Sequence, residues 1–200
     1  MNRRQKSDTQ LIQRYLKGDS RAFEALVHRY EQSLYSYLIR LVGDREAAND
    51  LFQDVFFKVI KTLPRYKEQN KFSNWLFSIA HNVGIDYLRK RKRIATVELN
   101  DSIEIDESVF DTAFDADNQS AEILFQRKEN QQLLASAIEN LSVEQRDVIL
   151  LREYSDMSFK EIAELLDCPL NTVLGRMRYA LLNLRKIIEK DIQGGLSDVL

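Results

Sequence analysis

Aromatic, amide and cationic side chains cluster between residues 66 and 93, a combination that suits the binding of unpaired nucleotides. Tyr66 opens a polar loop that also carries Lys67 and Lys71, and Trp75 lies just beyond that loop. An aromatic ring stacks on an unpaired base for about 1–3 kcal/mol, and lysine or arginine holds phosphate oxygens. The alternative for Trp75 is ordinary core packing, and periodicity alone leaves both interpretations open.

A helix predicted to begin at Ser73 or Asn74 extends this polar surface. At about 100° per residue, one flank beside Trp75 carries Asn74, Ser78, Asn82, Arg89 and Arg93, and the helix ends in the basic run 89–93. The alternative for this run is a solvated helix C-terminus, where the helix dipole favours cations. The loop, the flank and the run together favour a nucleic-acid surface more than any one of them does alone.

A helix-turn-helix is predicted near the C-terminus. Ser158 opens a short helix with a capping-box signature, a turn follows at residues 167–170, and a longer helix runs from about Asn171 to Ile188. In this layout the second helix enters the major groove of DNA. Its core arc holds Val173, Met177, Ala180, Leu181, Leu184 and Ile188, and its open arc carries Thr172, Gly175, Arg176, Arg178, Tyr179, Arg185 and Lys186. The alternative is an ordinary helical hairpin with a solvated face.

A third surface is predicted on a helix that begins at residues 44–46. The apolar residues of this helix fill one broad arc, from Leu51 to Ile60, whereas Phe57 falls on the opposite face. The other residues on that polar face are Asp50, Gln53, Asp54 and Lys61. Phe57 is a single exposed apolar residue, which is common, or is packed under another helix, or is part of a protein-docking face, which we prefer.

The composition excludes several classes of active site. The single cysteine, Cys168, which we expect to be buried, excludes an internal disulfide and a multi-cysteine metal site. The two histidines, His28 and His81, lack a nearby acid, nucleophile or metal-ligand spacing, so we expect no catalytic residue, metal, cofactor or small-molecule substrate. No apolar run approaches the ~18–20 residues that cross a bilayer, and no signal segment follows Met1, so a cytoplasmic protein without membrane insertion is expected.

Charge and turn residues together predict an all-α protein of two helical domains. Six glycines and two prolines in 200 residues are too few for the turns of an all-β fold. Residues 1–93 hold 19 basic and 10 acidic side chains, whereas residues 94–126 hold 9 acidic side chains and no basic ones. The basic block suits a polyanion, and the acidic stretch at residues 98–119 suits an extended linker. Apolar residues within that stretch also allow it to lie in a basic channel of a partner.

Three segments, in this order along the chain, match the sequence pattern of a known protein family. They read DLFQDVFFKV from residue 50, FSNWLFSIAHNVGIDYLR from residue 72 and SFKEIAELLDCP from residue 158. Over nearly the whole chain, the sequence resembles the extracytoplasmic-function group of the sigma-70 family of bacterial RNA polymerase sigma factors. The resemblance implies a sigma-2-like domain at 1–93, a linker at 94–122, a sigma-4-like helix-turn-helix domain at 123–190 and a tail at 191–200.

The resemblance also implies a function in transcription initiation, without catalysis, in which the protein brings core RNA polymerase to a promoter and opens the DNA. The residues that would dock on the clamp coiled coil of the polymerase are Asp50, Gln53, Asp54 and Phe57. Those that would hold the non-template strand of the −10 element are Tyr66, Lys67, Lys71, Trp75, Asn82 and Arg89. Those that would read the −35 element are Thr172, Arg176, Arg178, Tyr179 and Lys186. The implied partners are core polymerase, promoter DNA and an anti-sigma factor, and the linker would thread the RNA-exit path.

The −35 helix departs from the family pattern. A start of the type Gly-Thr-Val-Lys/Arg-Ser-Arg is replaced by NTVLGR at residues 171–176, and Tyr179 stands at the place of a later arginine. Gly175 weakens the helix by up to about 1 kcal/mol relative to alanine. Either the −35 element that this helix reads has an unusual sequence, or the helix binds the −35 element more weakly than the family pattern implies.

Three other functions remain as alternatives. A free-standing helix-turn-helix regulator would bind duplex DNA without polymerase and would leave the features of residues 66–93 unused. A helical adaptor would recruit proteins and have no affinity for DNA. A nucleic-acid-modifying enzyme has no P-loop, histidine pair or nucleophile–base spacing in its favour.

Overall fold

The computed structural model describes residues 7–67, 71–98 and 133–197, and every regular element within these ranges is a helix. The expected all-α fold is therefore confirmed. The described residues form two compact units, the first from residues 7–67, 71–98 and 153–157 and the second from residues 133–152 and 158–197. Most of the predicted acidic linker lies outside the described residues. None of the described helices is long and apolar enough to cross a membrane.

The first unit contains four helices whose boundaries follow local signals. They are α1 (Asp8–Leu16), α2 (Ser20–Val42), α3 (Arg45–Thr62) and α4 (Phe72–Glu98), with a 3-10 turn, Leu63–Arg65, after α3. Ser7 and Gln10 form a capping box at the start of α1. Gly43 ends α2 in the left-handed conformation, with φ of 68°, and the Asp44 side chain accepts from the Ala47 N–H to start α3.

Helix α4 differs from its prediction at both ends. It begins before the expected cap at Ser73 or Asn74, because the Lys71 carbonyl accepts from the Trp75 N–H at 3.3 Å and makes Lys71 the residue that precedes the helix. It also continues beyond the basic run 89–93 to Glu98. The run therefore lies inside the helix, and the dipole of a helix C-terminus does not account for its cations.

The core of the first unit centres on α2, which contacts α1, α3 and α4. Tyr37, Leu38 and Leu41 of α2 are fully buried, and the Tyr37 ring meets Phe77 of α4 edge to face at 5.5 Å between centroids. Gly84 lets the two helices approach closely, since a Cβ atom there would lie 2.6 Å from Leu41 Cδ2. Glycine at this position thus fixes the spacing between α2 and α4.

The second unit is built on α5 (residues 133–139), α6 (Val143–Tyr154), α7 (Phe159–Leu165) and α8 (Leu170–Ser197). The capping box predicted at Ser158 is confirmed. The Arg146 guanidinium donates to the carbonyls of Glu139 and Leu141 and so satisfies acceptors at the end of α5. Desolvation lowers the pKa of this half-buried arginine.

Helices α7 and α8 form the predicted helix-turn-helix. The turn includes Asp167 at a positive φ of 48°, and Ile162 of α7 and Val173 of α8 are fully buried. The predicted core arc of α8 is wrong at Leu181, which is 52% exposed. The buried line of α8 runs through Val173, Ala180 and Leu184, so the core covers a narrower arc than the apolar sequence pattern does. Cys168 in the turn is half-buried rather than buried.

Candidate functional site

Tyr66 and Trp75 form an aromatic platform at the start of α4. Their ring centroids lie 4.6 Å apart with an interplanar angle of 40°, and both side chains are half-buried. Phe72 contacts both rings from the core side of the platform. It is only 4% exposed, and its ring centroid lies 6.0 Å from that of Tyr66 and 5.6 Å from that of Trp75. Trp75 therefore contacts the core without being enclosed by it. The accessible part of the platform can stack on a planar group.

Two lysines flank the platform. Lys67 follows Tyr66, Lys71 precedes α4, and both are exposed. An ammonium group at the edge of an aromatic surface can hold the phosphate of a nucleotide whose base stacks on the rings. The residues between the two lysines lie outside those described.

The outer face of α4 (Trp75, Asn82, Asp86, Arg89 and Arg93) extends this polar surface along the helix. At about 100° per residue these five side chains fall within an arc of about 60°. All are exposed except the half-buried Trp75.

Two residues of the predicted flank do not belong to this outer face. Asn74 and Ser78 are half-buried, and the Ser78 hydroxyl donates to the Asn74 carbonyl at 2.7 Å. Within the basic run, Arg91 turns back towards the body of the unit and donates to the Val42 carbonyl at 3.5 Å. Only part of the run is therefore directed outward.

Asp86 is an acidic residue within an otherwise basic surface, and it is absent from the predicted flank of α4. Its Oδ1 lies 3.6 Å from Arg89 Nη1, and the two side chains are 71% and 74% exposed. An exposed pair of this kind contributes little to stability. Its main effect is to reduce the positive potential of the outer face at this turn.

The α3 face (Asp50, Gln53, Asp54 and Phe57) is exposed along its whole length, as the sequence predicted. Phe57 is 69% exposed, so it is not packed under another described element. Ile60, assigned to the core from the sequence, is 43% exposed and lies one turn from Phe57. The apolar part of this surface is thus larger than predicted.

Helix α8 brings four of its five predicted DNA-contact residues to one side. At about 100° per residue, Thr172, Arg176, Tyr179 and Lys186 lie within an arc of about 80°, and Tyr179 is 61% exposed. Arg176 is half-buried and its Nη1 lies 4.0 Å from Cys168 Sγ.

Arg178 is exposed but points about 160° away from Arg176. It shares its side with the exposed Leu174 and Leu181. The two arginines therefore cannot both reach base edges from a single docking orientation.

The histidines lie apart from these surfaces. The expectation that no acid lies near His28 is wrong, since the exposed His28 Nδ1 lies 3.0 Å from Glu31 Oε1, and this contact raises the pKa of His28. His81 is buried in α4. Within the part of the chain that the structure describes, no three His, Cys, Asp or Glu side chains form a group that could hold a metal.

Two sequence models of one family match the chain. The model described as Sigma-70 region 2 matches residues 26–94, and the model described as Sigma-70, region 4 matches residues 131–184. The platform and the α3 face lie within the first match. The second match includes four of the predicted DNA-contact residues of α8, namely Thr172, Arg176, Arg178 and Tyr179.

Curated relatives are similar over almost their full lengths. The chain is 30% identical to the RNA polymerase sigma-H factor of Pseudomonas aeruginosa over 194 residues, which cover 94% of this chain and 95% of the relative. It is 32% identical to the ECF RNA polymerase sigma-E factor of Escherichia coli K12 over 189 residues, which cover 94% and 96%.

Two solved structures have a similar fold. The sigma factor RpoE of Bartonella quintana, solved with the anti-sigma factor NepR, gives a TM-score of 0.67 at 23% identity, covering 84% of this chain and 96% of that one. CnrH, solved with the cytosolic domain of CnrY, gives a TM-score of 0.61 at 23% identity, covering 92% and 98%.

Proposed function

The chain belongs to the sigma-70 family of RNA polymerase sigma factors, in its extracytoplasmic-function group, and from this premise we propose how its surfaces divide the work of promoter recognition. Members of this family are transcription initiation factors, which bind core RNA polymerase and promoter DNA. The observation that supports the proposal is that a half-buried aromatic pair, Tyr66 and Trp75, and a separate exposed face around Phe57 both lie within the region 2 match.

The α3 face docks on the clamp coiled coil of the polymerase. Phe57 supplies an exposed apolar anchor, and Asp50 and Asp54 flank it with negative charge. Aromatic anchors surrounded by polar residues are typical of the energetic centres of protein interfaces. We include Ile60 in this contact because it extends the exposed apolar area.

The aromatic platform captures an unpaired base of the −10 element. Opening the duplex costs a few kcal/mol, and stacking of about 1–3 kcal/mol per base offsets part of this cost. Lys67 and Lys71 hold the backbone next to the captured base, and Asn82 and Arg89 contact the DNA farther along α4. The protein itself supplies binding energy and no catalytic group.

Helix α8 enters the major groove at the −35 element. Thr172, Arg176, Tyr179 and Lys186 form the side that faces DNA, and Arg178 reaches a phosphate at the edge of the groove instead of a base. With Tyr179 in place of a cation, part of the readout depends on apolar contact, for example with thymine methyl groups.

Three further assignments follow from family membership. An anti-sigma factor binds this protein, as the anti-sigma factor NepR binds the structurally similar RpoE. The acidic linker follows the RNA-exit path of the polymerase. The protein acts in the cytoplasm, where core polymerase and the chromosome are found.

A regulator that binds duplex DNA alone is the second candidate, and the exposed α3 face argues against it. Such a protein needs α7 and α8 but has no use for the Tyr66–Trp75 platform or for an exposed Phe57.

Run-off transcription with purified core polymerase and genomic fragments tests the proposal. We expect defined transcripts only when the chain is added, and we expect no stable complex with promoter duplex in the absence of core polymerase. Specific binding to a palindromic duplex without polymerase, together with no transcripts on any fragment, would contradict it.

A further inference from the structure

Phe72 separates the aromatic platform from helix α2. On one side its ring supports Tyr66 and Trp75, and on the other side its centroid lies 5.5 Å from that of Tyr30. Because Phe72 is buried, its ring cannot shift without displacing one of these neighbours. The orientation of the platform therefore depends on where α2 holds Tyr30.

Tyr30 is fixed at its far end by α1. Its Oη donates to Asp8 Oδ2 at 2.5 Å, and Arg29 Nη1 binds Asp8 Oδ1. Burial, followed by the hydrogen bond to Asp8, raises the pKa of Tyr30, so the phenol remains a protonated donor at neutral pH. Asp8 lies in the first turn of α1, where the helix dipole favours its negative charge.

Packing alone does not require the hydrogen bond between Tyr30 and Asp8. A phenylalanine at position 30 would fill the same space and contact Phe72 in the same way, so the hydroxyl must be explained separately. Its contribution is to restrict the rotation and tilt of the Tyr30 ring, since a hydrogen bond to a carboxylate is short and directional.

We propose that Tyr30, anchored by Asp8 and Arg29, is a positioning residue for the aromatic platform, so that α1 contributes to strand capture without touching DNA. The proposal rests on the proposed function of the platform in holding an unpaired base. A platform that is already oriented loses less conformational entropy when a base stacks on it.

The first test observes the platform directly, because Trp75 is the only tryptophan of the chain. Full-length Tyr30→Phe and Asp8→Asn are compared with Tyr35→Phe, a matched control on the same helix whose ring contacts Phe52 instead of Phe72. We expect acrylamide to quench the fluorescence of Trp75 more strongly in the first two variants and to the original extent in Tyr35→Phe. Unchanged quenching in Tyr30→Phe overturns the proposal.

The second test measures promoter opening by each chain with core polymerase, on a fragment that the unaltered chain opens. We expect the opening rate to fall about tenfold in Tyr30→Phe and Asp8→Asn, the effect of losing one hydrogen bond to a charged group. The dissociation constant for core polymerase should stay unchanged. An equal loss in Tyr35→Phe, or a parallel loss of polymerase binding, would show a merely structural role and would overturn the proposal.

The two tests separate this proposal from the function on which it rests. If the unaltered chain opens no promoter, the proposed function fails. The quenching comparison still decides whether Tyr30 and Asp8 orient Trp75, because it needs neither DNA nor polymerase.

Discussion

At the scale of a single residue, Trp75 belongs partly to the core and partly to the surface. Part of its ring contacts Tyr66 and Phe72, and the rest lies at the border of the exposed outer face of α4. Helical periodicity gave the angle of Trp75 about the helix axis correctly, but it could not show that the ring is only half-buried. The neighbour that covers part of the ring, Tyr66, comes from the loop before the helix, and no helical pattern contains that information.

Replacing Trp75 by alanine should impair strand opening more than initial promoter binding. The variant loses the stacking of one base, about 1–3 kcal/mol, which corresponds to roughly a 5- to 150-fold smaller fraction of open complex. Permanganate reactivity of promoter thymines in the presence of core polymerase measures this fraction, and gel retardation measures binding. Trp75→Phe is the control, since it keeps a ring for stacking. Normal permanganate reactivity in Trp75→Ala would contradict the role of the platform.

At the scale of elements, local signals set where helices begin and end, whereas packing sets which side is covered. Asp44 and Ser158 were predicted from the sequence as helix starts, and the structure confirms both. Which side of α3 or α8 is buried depends on neighbours that the pattern does not specify, so Ile60 and Leu181 were wrongly assigned to the core. Both lie at the margin of an apolar arc that is wider than the helix in contact with it.

Two glycines inside helices should respond in opposite ways to alanine. Gly84→Ala places a Cβ 2.6 Å from the fully buried Leu41 side chain, so overpacking of about 1–3 kcal/mol should outweigh the gain in helix propensity. Gly175 has no atom within 4 Å of its Cβ position, so Gly175→Ala should stabilise α8 by up to about 1 kcal/mol. Urea unfolding followed by circular dichroism measures both changes. Equal effects of the two substitutions would refute the close approach of α2 and α4.

Substitutions on the α3 face should remove polymerase binding without changing the stability of the helix. Asp54→Ala and Phe57→Ala together should abolish recovery of the chain with core polymerase, because they remove the apolar anchor and one flanking charge. Both residues are exposed, so circular dichroism and the unfolding midpoint should stay unchanged. Gln32→Ala, an exposed change on α2, is the control. Retained polymerase binding in the double variant would exclude this docking surface.

At the scale of the whole molecule, the order of helices and the existence of two units followed from the sequence. Scarce glycine and proline, together with the separation of charge, predicted an all-α chain in two parts. Helical periodicity alone places Thr172, Arg176, Tyr179 and Lys186 on one side of α8 and Arg178 about 160° from Arg176, so this division was available from the sequence. The structure adds that Leu174 and Leu181, on the side of Arg178, are exposed.

The continuity of α4 has one more consequence. From Trp75 to Arg93 the helix rises about 27 Å without a break, so the ring and the last outward cation are held at a constant separation. In the complex proposed above, such a rod would act as a ruler along the promoter: with one base seated on the rings, the phosphates within reach of Arg89 and Arg93 would already be determined. A promoter with one nucleotide inserted within this interval would then have to bulge or slip, because the protein cannot lengthen to follow it.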